Sequence, residues 1–132
     1  MKQSISLSYK AYDTLCAQVQ GCRKCYRMNE SARVLSRAAG RIDAKIMFIG
    51  EAPGRLGADS SEIPFHGDKA GHNFEELLEF AGLTRASVFV TNAVLCNPRD
   101  ASGNNAPAAL CSPPSESLQC RHGIGTYSSD LA

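Results

Sequence analysis

The stretch Ile46-Met47-Phe48-Ile49-Gly50-Glu51-Ala52-Pro53-Gly54 indicates the fold class of this chain. Its first four residues form a short apolar run between a charged segment and Gly50, which predicts a strand buried on both faces. A second run, Val88-Phe89-Val90, predicts another buried strand that leads into Thr91-Asn92. A loop punctuated by glycine and proline follows the first strand and extends to about Gly71. The sequence therefore predicts two strands joined by a long connection.

The connection also contains a helix signal. Gly82 is suited to end this helix, whose apolar residues have helical spacing at Phe74, Leu77, Leu78 and Ala81. Strand, loop, helix and strand in this order form a βαβ unit, which predicts a parallel pair joined by a right-handed crossover. We therefore expect an α/β fold.

A further amphipathic helix is predicted upstream of the strands. From Ser8 onward the apolar residues recur at helical spacing, and Gly21 is suited to end the helix. The residues that carry this pattern are Tyr12, Leu15, Cys16 and Val19. Because Cys16 belongs to this apolar stripe, we interpret it as a small buried residue and not as a ligand.

Composition excludes several classes of protein. The chain has 132 residues, of which 43% are hydrophobic and 20% charged, with 14 Lys and Arg against 13 Asp and Glu. This length suits one domain, and the balance excludes a wholly disordered chain and a bulk polycation. No apolar run approaches the ~20 residues of a membrane span, and the first nine residues lack the apolar core of a signal peptide. We therefore expect a cytoplasmic protein without a membrane partner.

The six cysteines of the chain indicate metal or redox chemistry, because a reducing compartment disfavours structural disulfides. The spacing Cys22-x2-Cys25 lets two thiolates bind one metal ion or cluster. Cys96, with either Cys111 or Cys120, would complete a four-thiolate site for iron–sulfur or zinc.

Candidate ligand-binding residues follow both predicted strands. Open α/β sheets bind ligands at the carboxyl ends of their strands, where glycines such as Gly50 and Gly54 let backbone amides approach a ligand. The loop lacks the Gly-Lys-Ser/Thr ending of a phosphate loop, which disfavours a nucleotide triphosphatase. Phe65 and Asn92, taken singly, are typical of a core aromatic and a turn residue. Together at one sheet edge, they would grip a flat heterocycle by stacking and paired hydrogen bonds.

A basic segment lies between the CxxC motif and the first strand, interrupted only by Glu30 and Asp43. Such clusters suit phosphate backbones, although charge runs are more often solvated faces. The basic residues are Arg23, Lys24, Arg27, Arg33, Arg37, Arg41 and Lys45.

Together and in this order, the motifs resemble the iron–sulfur members of the uracil-DNA glycosylase superfamily, family 4 and its close bacterial relatives. The matching pieces are Cys22-Arg-Lys-Cys25, Phe48-Ile-Gly-Glu-Ala-Pro-Gly54, Ile63-Pro-Phe-His-Gly67, Gly71-x-Asn-Phe-x-x-Leu-Leu78 and Val90-Thr-Asn-Ala-Val-Leu-Cys96. They fall within residues 20–105, and the combination is more specific than any one of its parts.

The resemblance implies a three-layer α/β/α sandwich on a parallel sheet and hydrolysis of the N-glycosidic bond of uracil flipped out of DNA, as in base excision repair. It implies that Phe65 stacks on the base, that Asn92 reads its hydrogen-bonding edge and that Glu51 is catalytic. The pocket would be lined by Ala52, Pro53 and Gly54.

The resemblance also implies a cofactor and a partner. A structural 4Fe-4S cluster would be held by Cys22, Cys25, Cys96 and Cys111, with Cys120 as the alternative fourth ligand. The partner would be uracil-containing DNA, single- or double-stranded, bound by a monomer.

The chain departs from the family pattern after residue 105. The family's His-Pro-Ser motif is absent, and the histidines stand in other contexts. We expect residues 1–105 to be the N-terminal part of the domain and residues 106–132 an atypical tail from a truncated or frame-shifted reading. An incomplete parallel sheet exposes an edge and part of an apolar face, so we expect a marginally folded chain with weak or absent glycosylase activity.

Two other functions stay open at this point. A non-catalytic nucleic-acid-binding module would use the same cysteines to hold zinc or a cluster. A dithiol redox protein using Cys22 and Cys25 is less favoured, because this CxxC motif follows a helix and not the first strand of a βαβ unit.

Overall fold

The computed structural model describes residues 2–25 and 28–107, with side chains from residue 6 onward. The described helices are α1 (Lys2–Gln20), α2 (Ala58–Ser61) and α3 (Lys69–Phe80), and the strands are β1 (Met47–Gly50) and β2 (Phe89–Asn92). Short 3-10 turns cover Arg37–Ala39 and Arg85–Ser87. The predicted ligands Cys111 and Cys120, and the predicted tail from residue 108, lie outside the described residues.

The two strands pair in parallel, which confirms the prediction from the βαβ order. Met47 lies beside Phe89 and Gly50 lies beside Asn92, so both strands begin and end at the same level. The loops that follow the two strands therefore leave the sheet at one edge, where the sequence places its candidate site.

The strands differ in burial. β2 is buried at every position, as predicted. The prediction is wrong for β1, where Met47 and Ile49 are 50% and 52% exposed. These two side chains point to the same side as Phe89, because they alternate with Phe48 along the strand. Of the described helices, α1 packs on that side over β2, and it leaves β1 uncovered there.

Helices cover both faces of β2. On one face the ring of Tyr12, in α1, meets the ring of Phe89 edge-on with centroids 5.8 Å apart. On the other face Val90 packs with Leu78 of α3. This helix, sheet and helix order is the α/β/α layering expected for the fold. We call these two sides of the sheet the α1 face and the α3 face.

The helix predictions are confirmed, with earlier starts than the spacing indicated. α1 begins at Lys2 and not at Ser8, and it ends directly before Gly21. Cys16 is partly buried against the core beneath α1, which agrees with its interpretation as a packing residue.

The third helix has a defined cap at each end. The Asp68 carboxylate accepts a hydrogen bond from the Gly71 amide at 2.8 Å, so α3 begins within the segment predicted as loop. At the other end Gly82 has φ 69°, the Leu83 amide donates to the Leu78 carbonyl at 2.8 Å, and the Gly82 amide donates to the Glu79 carbonyl at 2.9 Å. These bonds form the Schellman arrangement that makes glycine favourable after a helix, as predicted for Gly82. No helix in the described part of the chain combines the length and the apolar character needed to cross a membrane.

Candidate functional site

The residues at the carboxyl ends of the two strands meet around Gly50. A Cβ atom at Gly50 would lie 2.5 Å from Asn92 Oδ1 and 2.5 Å from Phe65 Cζ. The amide of Asn92 and the edge of the Phe65 ring therefore both approach the backbone of β1, and any side chain at position 50 would displace one of them. The structure thus brings together two residues that the sequence predicted from separate motifs.

Asn92 is buried with an unpaired donor. Asn92 is 2% exposed, and its Nδ2 has no hydrogen-bond partner among the described residues. Leaving a buried donor unpaired costs about 1–3 kcal/mol. An amide donor at a sheet edge, beside an aromatic ring, is suited to an acceptor such as a ligand carbonyl.

Phe65 has a strained backbone. Its φ is 50°, in the left-handed region that costs an L-amino acid about 1–2 kcal/mol. Its ring lies 5.0 Å from the ring of Phe74, centroid to centroid, at an interplanar angle of 37°. Strained residues of this kind persist where the surrounding structure enforces them, and they cluster at binding sites.

The backbone of Phe65 is held by a group that sequence reasoning missed. The guanidinium of Arg85 donates to the carbonyl oxygens of Pro64, at 2.6 Å, and of Phe65. Arg85 Nε lies 3.2 Å from Glu75 Oε1, which also lies 3.0 Å from His66 Nδ1. The hydrogen bond from His66 and the positive charge of Arg85 lower the pKa of the Glu75 carboxyl. Nothing in the sequence signals this arrangement, because Arg85 is an isolated basic residue in a polar turn.

The loop after β1 lines a cavity of about 350 Å³. The predicted site residues Glu51, Ala52, Pro53 and Gly54 all contribute to its wall, together with Asn97, Pro98, Asn105, Ala106 and Pro107 from the segment after β2. Phe65 and Asn92 are not part of this wall. The predicted site residues therefore form two adjacent groups. Phe65 and Asn92 lie around Gly50, residues 51–54 line the cavity, and the Gly50–Glu51 peptide connects the two groups.

A buried polar network fixes the wall of this cavity. Asn97 is 1% exposed, and its Nδ2 donates to Pro53 O at 2.6 Å and to Asn105 Oδ1 at 2.9 Å. Arg99 donates to Asn97 Oδ1 at 3.1 Å and pairs with Asp59 at 2.6 Å. These bonds join the loops that follow β1 and β2. The sequence did not single out Asn97, Arg99 or Asp59, because the bonds from Asn97 to Pro53 and from Arg99 to Asp59 join residues 44 and 40 positions apart.

The described cysteines of the predicted cluster lie in one part of the molecule. Cys25 and Cys96 both pack against buried Met28 and Val94. Burial raises the pKa of the Cys96 thiol, and the charge of Cys22 raises it further.

A buried arginine ties this neighbourhood together. Arg33 is 6% exposed, its Nε donates to Cys22 O at 3.0 Å, and its backbone forms an antiparallel bridge with Cys96. Thiol donors fit the donor chemistry of an iron–sulfur cluster or of zinc, but Cys25 is disulfide-bonded, which leaves Cys22 and Cys96 as the free thiols of the predicted set among the described residues. In the part of the chain that the structure describes, however, no three His, Cys, Asp or Glu side chains stand close enough to hold a metal ion.

The basic segment is largely engaged in internal contacts. Besides the buried Arg33, Arg37 pairs with Asp13 and Arg41 pairs with Asp43, each at 2.7 Å. Within the CxxC motif Arg23 and Lys24 are exposed, although Arg23 also donates to Gln20 O at 2.9 Å. The segment is therefore less available to a phosphate backbone than its sequence suggests.

Comparison with known proteins gives one family. Residues 38–122 match the uracil DNA glycosylase superfamily. The type-4 uracil-DNA glycosylase of Archaeoglobus fulgidus is 35% identical over 89 residues, which are 67% of this chain and 43% of that protein. The type-4 uracil-DNA glycosylase of Thermotoga maritima is 33% identical over 106 residues, which are 80% of this chain and 49% of that protein.

A further relative agrees with these two. The type-4 uracil-DNA glycosylase of Saccharolobus solfataricus is 39% identical over 87 residues, which are 65% of this chain and 39% of that protein. The chain thus spans less than half the length of these curated relatives. The superfamily match includes the loop after β1, Phe65 and Asn92, and it covers more than half of the chain. The chain therefore belongs to the uracil DNA glycosylase superfamily.

Proposed function

We propose that this protein is a DNA repair glycosylase that hydrolyses the N-glycosidic bond of uracil in DNA, and that residues 1–105 provide the base-binding part of its domain. The observation that carries the proposal is the buried, unpaired Nδ2 of Asn92 beside the ring of Phe65. The names of the relatives, type-4 uracil-DNA glycosylases, support the same substrate.

Recognition of the base follows from the chemistry of these two side chains. A flipped base stacks on an aromatic ring, for which we propose Phe65. The amide of Asn92 offers a donor at Nδ2 and an acceptor at Oδ1, which complement a carbonyl and the adjacent N–H of uracil. Cytosine presents an amino group and an unprotonated ring nitrogen at the corresponding edge, so the same amide orientation discriminates against it.

Catalysis is proposed for the loop that lines the cavity. As the glycosidic bond breaks, the base leaves with the electron pair, and water adds to the sugar carbon. We propose that the Glu51 carboxylate accepts the proton of this water, since Glu51 is exposed at the cavity wall. Ala52, Pro53 and Gly54 would shape the wall close to the departing base. Groups aimed at the developing anion stabilise the transition state more than the ground state.

We propose Cys22, Cys25, Cys96 and Cys111 as ligands of a 4Fe-4S cluster, with Cys120 as the alternative to Cys111. The free thiols of Cys22 and Cys96, both beside Arg33, support this set, in which the disulfide-bonded Cys25 would bind the cluster only after reduction. The cluster would supply no chemistry to base release, and its role would be to fix the N-terminal segment on the sheet. Arg23 and Lys24, exposed between two of the ligands, would then face the DNA backbone.

The proposal is tested by binding and excision with uracil-containing oligonucleotides, single- and double-stranded, and with cytosine- and thymine-containing controls. We expect the wild-type chain to prefer uracil, and Asn92→Ala to lower the affinity about tenfold or more, because one buried hydrogen bond of this kind is worth about 1–3 kcal/mol. Asn73→Ala removes an exposed amide from α3 and serves as the matched control. An unchanged preference for uracil in Asn92→Ala would contradict the assigned role.

Excision and metal content complete the experiment. Where the wild-type chain releases uracil, Glu51→Gln should lower the rate while leaving binding close to wild type. Iron and sulfide measured on the same sample test the cluster, and monomeric behaviour and a cytoplasmic location remain part of the proposal. A colourless, zinc-loaded protein that binds DNA without preference for uracil would instead support the nucleic-acid-binding module, which the clustered cysteines and exposed Arg23 and Lys24 also favour.

A further inference from the structure

Two peptide planes meet at Phe65, and both are fixed by one side chain. The carbonyl of Pro64 belongs to the peptide before the Phe65 Cα atom, and the carbonyl of Phe65 belongs to the peptide after it. Arg85 donates to both oxygens from separate nitrogens of its guanidinium, Nη1 to Pro64 O at 2.6 Å and Nη2 to Phe65 O. Because the guanidinium is planar and rigid, these two bonds constrain φ and ψ of Phe65 together.

The guanidinium is itself anchored. The Arg85 side chain is 26% exposed, its Nε lies 3.2 Å from Glu75 Oε1, and its Cζ lies 5.4 Å from the centre of the Phe74 ring. Glu75 and Phe74 both belong to α3, whereas Arg85 lies in the turn before β2. The position of the guanidinium is thus set by two side chains of α3, Glu75 and Phe74.

The third helix holds the same backbone from another direction. A Cβ atom at Gly71 would lie 2.7 Å from Phe65 O and 2.8 Å from His66 N. The absence of a side chain at Gly71 is what lets α3 approach this turn so closely. The peptide after Phe65 is therefore confined between the first turn of α3 and the guanidinium of Arg85.

We propose that Arg85 is a positioning residue that holds Phe65 in its left-handed backbone conformation and so keeps the ring at Gly50, beside the Asn92 amide. This inference rests on the proposed function in one respect, the role of Phe65 as the platform for the base. Arg85 does not touch the base in this scheme. It acts through two main-chain carbonyls, and the consequence for binding is a ring that is already in place before the base arrives.

The first measurement reports on the backbone alone. At positive φ the amide proton of a residue lies close to its own Hα, which gives a strong intraresidue NOE in a 15N-edited spectrum. We expect this NOE at Phe65 in the wild-type chain, a marked weakening in Arg85→Ala, and an intermediate value in Arg85→Lys, whose ammonium is a point donor without the planar fork. Arg41→Ala is the matched control, since it removes an exposed arginine that also pairs with an acid.

The second measurement is the affinity for a single-stranded uracil-containing oligonucleotide. We expect Arg85→Ala to lower it about tenfold and Arg85→Lys to lower it less, in the same order as the NOE. A strong NOE retained at Phe65 in Arg85→Ala overturns the inference, and so does a loss of affinity without any change at Phe65. If the wild-type chain has no affinity for uracil, the proposed function fails, while the NOE series still decides whether Arg85 holds Phe65.

A third measurement covers the case in which Arg85→Ala does not fold. Glycine adopts positive φ at no steric cost, so Phe65→Gly removes the need for an external constraint. We expect Arg85→Lys to reduce the equilibrium constant for folding in urea by a smaller factor in the Phe65→Gly background than in wild type. An equal factor in both backgrounds means that Arg85 contributes only general packing, and the inference is then wrong.

Discussion

The two faces of the sheet are built from the same strands and differ in how completely they are covered. On the α3 face Phe48 and its register neighbour Val90 are covered by Phe74 and Leu78. On the α1 face β2 is covered, but Ile49 of β1 and its neighbour Met47 remain half exposed. In the described part of the domain, the α3 face is therefore covered over both strands, whereas the α1 face is covered over β2 alone.

The candidate base site lies on the α3 face. Side chains alternate along a strand, so Gly50 and Asn92 continue the α3 face one step beyond Phe48 and Val90. Phe65 reaches the same place through its contact with Phe74, which α3 supports. Covering the α3 face therefore also builds the site, whereas the open part of the α1 face contributes no predicted site residue.

The largest effect is expected where the α3 face becomes the site, at Gly50. Gly50→Ala places a Cβ 2.5 Å from both Asn92 Oδ1 and Phe65 Cζ, and one of them must move. Overpacking of this kind costs about 1–3 kcal/mol, and we expect a value at the upper end together with loss of uracil binding. Urea unfolding and oligonucleotide binding measure the two effects.

The control for this change is Gly21→Ala, at the end of α1. There a Cβ would meet only Ala17 O at 3.5 Å and Gln18 O at 3.8 Å, which are ordinary contacts. We expect this variant to be close to wild type in both assays. A Gly50→Ala chain as stable as Gly21→Ala would mean that the close approach of Phe65 and Asn92 does not exist in solution.

An intermediate effect is expected from two alanine substitutions, one on each face of the sheet, which compare the faces directly. Val90→Ala removes methyl groups from a side chain that is 1% exposed on the α3 face, and we expect it to cost about 2 kcal/mol. Ile49→Ala removes more carbon from the neighbouring strand, but from a residue that is 52% exposed, and we expect less than about 1 kcal/mol. Equal losses in thermal or urea unfolding would show that Ile49 is covered in solution.

Several of these features follow from the sequence alone. The apolar runs, the helical spacing of Phe74 and Leu78 and the glycine at position 82 predicted the βαβ unit. The rule that ligands bind at the carboxyl ends of parallel strands then predicted that Phe65 and Asn92 lie close together at one sheet edge, as they do around Gly50. These predictions succeed because they depend on local periodicity and on a property that parallel sheets share.

Other features depend on contacts between residues that are far apart along the chain, and local sequence patterns do not predict such contacts. The run from Ile46 to Ile49 is equally apolar whether or not a helix covers it, so the expected incompleteness of the sheet predicted some exposed apolar surface but not that Met47 and Ile49 provide it. The side chains of Arg85 and Asn97 donate hydrogen bonds to main-chain carbonyls that are distant along the chain. Because every residue has such a carbonyl, the sequence does not indicate which one is bound. The sequence also did not predict that Asp13 and Asp43 pair with two arginines of the basic segment.

The smallest effect is expected from pH, and it tests the outer support of the α3 face. The pKa of Glu75 is lowered by the hydrogen bond from His66 and by the charge of Arg85. A carboxyl whose pKa is lower in the folded chain stabilises it above the ordinary pKa of glutamate, 4.5, and this stabilisation is lost as the pH falls through the folded value. Because Glu75 is 42% exposed, solvent screens the contribution and keeps it small.

Comparing wild type with Glu75→Gln isolates this contribution, because the amide keeps the shape of the side chain but not its charge. We expect wild type to be the more stable of the two at pH 6, and the difference in the free energy of unfolding to shrink below about pH 4.5 as Glu75 takes up a proton. Glu76→Gln, on the outer surface of α3, controls for the general loss of a negative charge. A difference between wild type and Glu75→Gln that is constant from pH 6 to about pH 3 would mean that the Glu75 carboxylate does not stabilise the turn that carries Phe65.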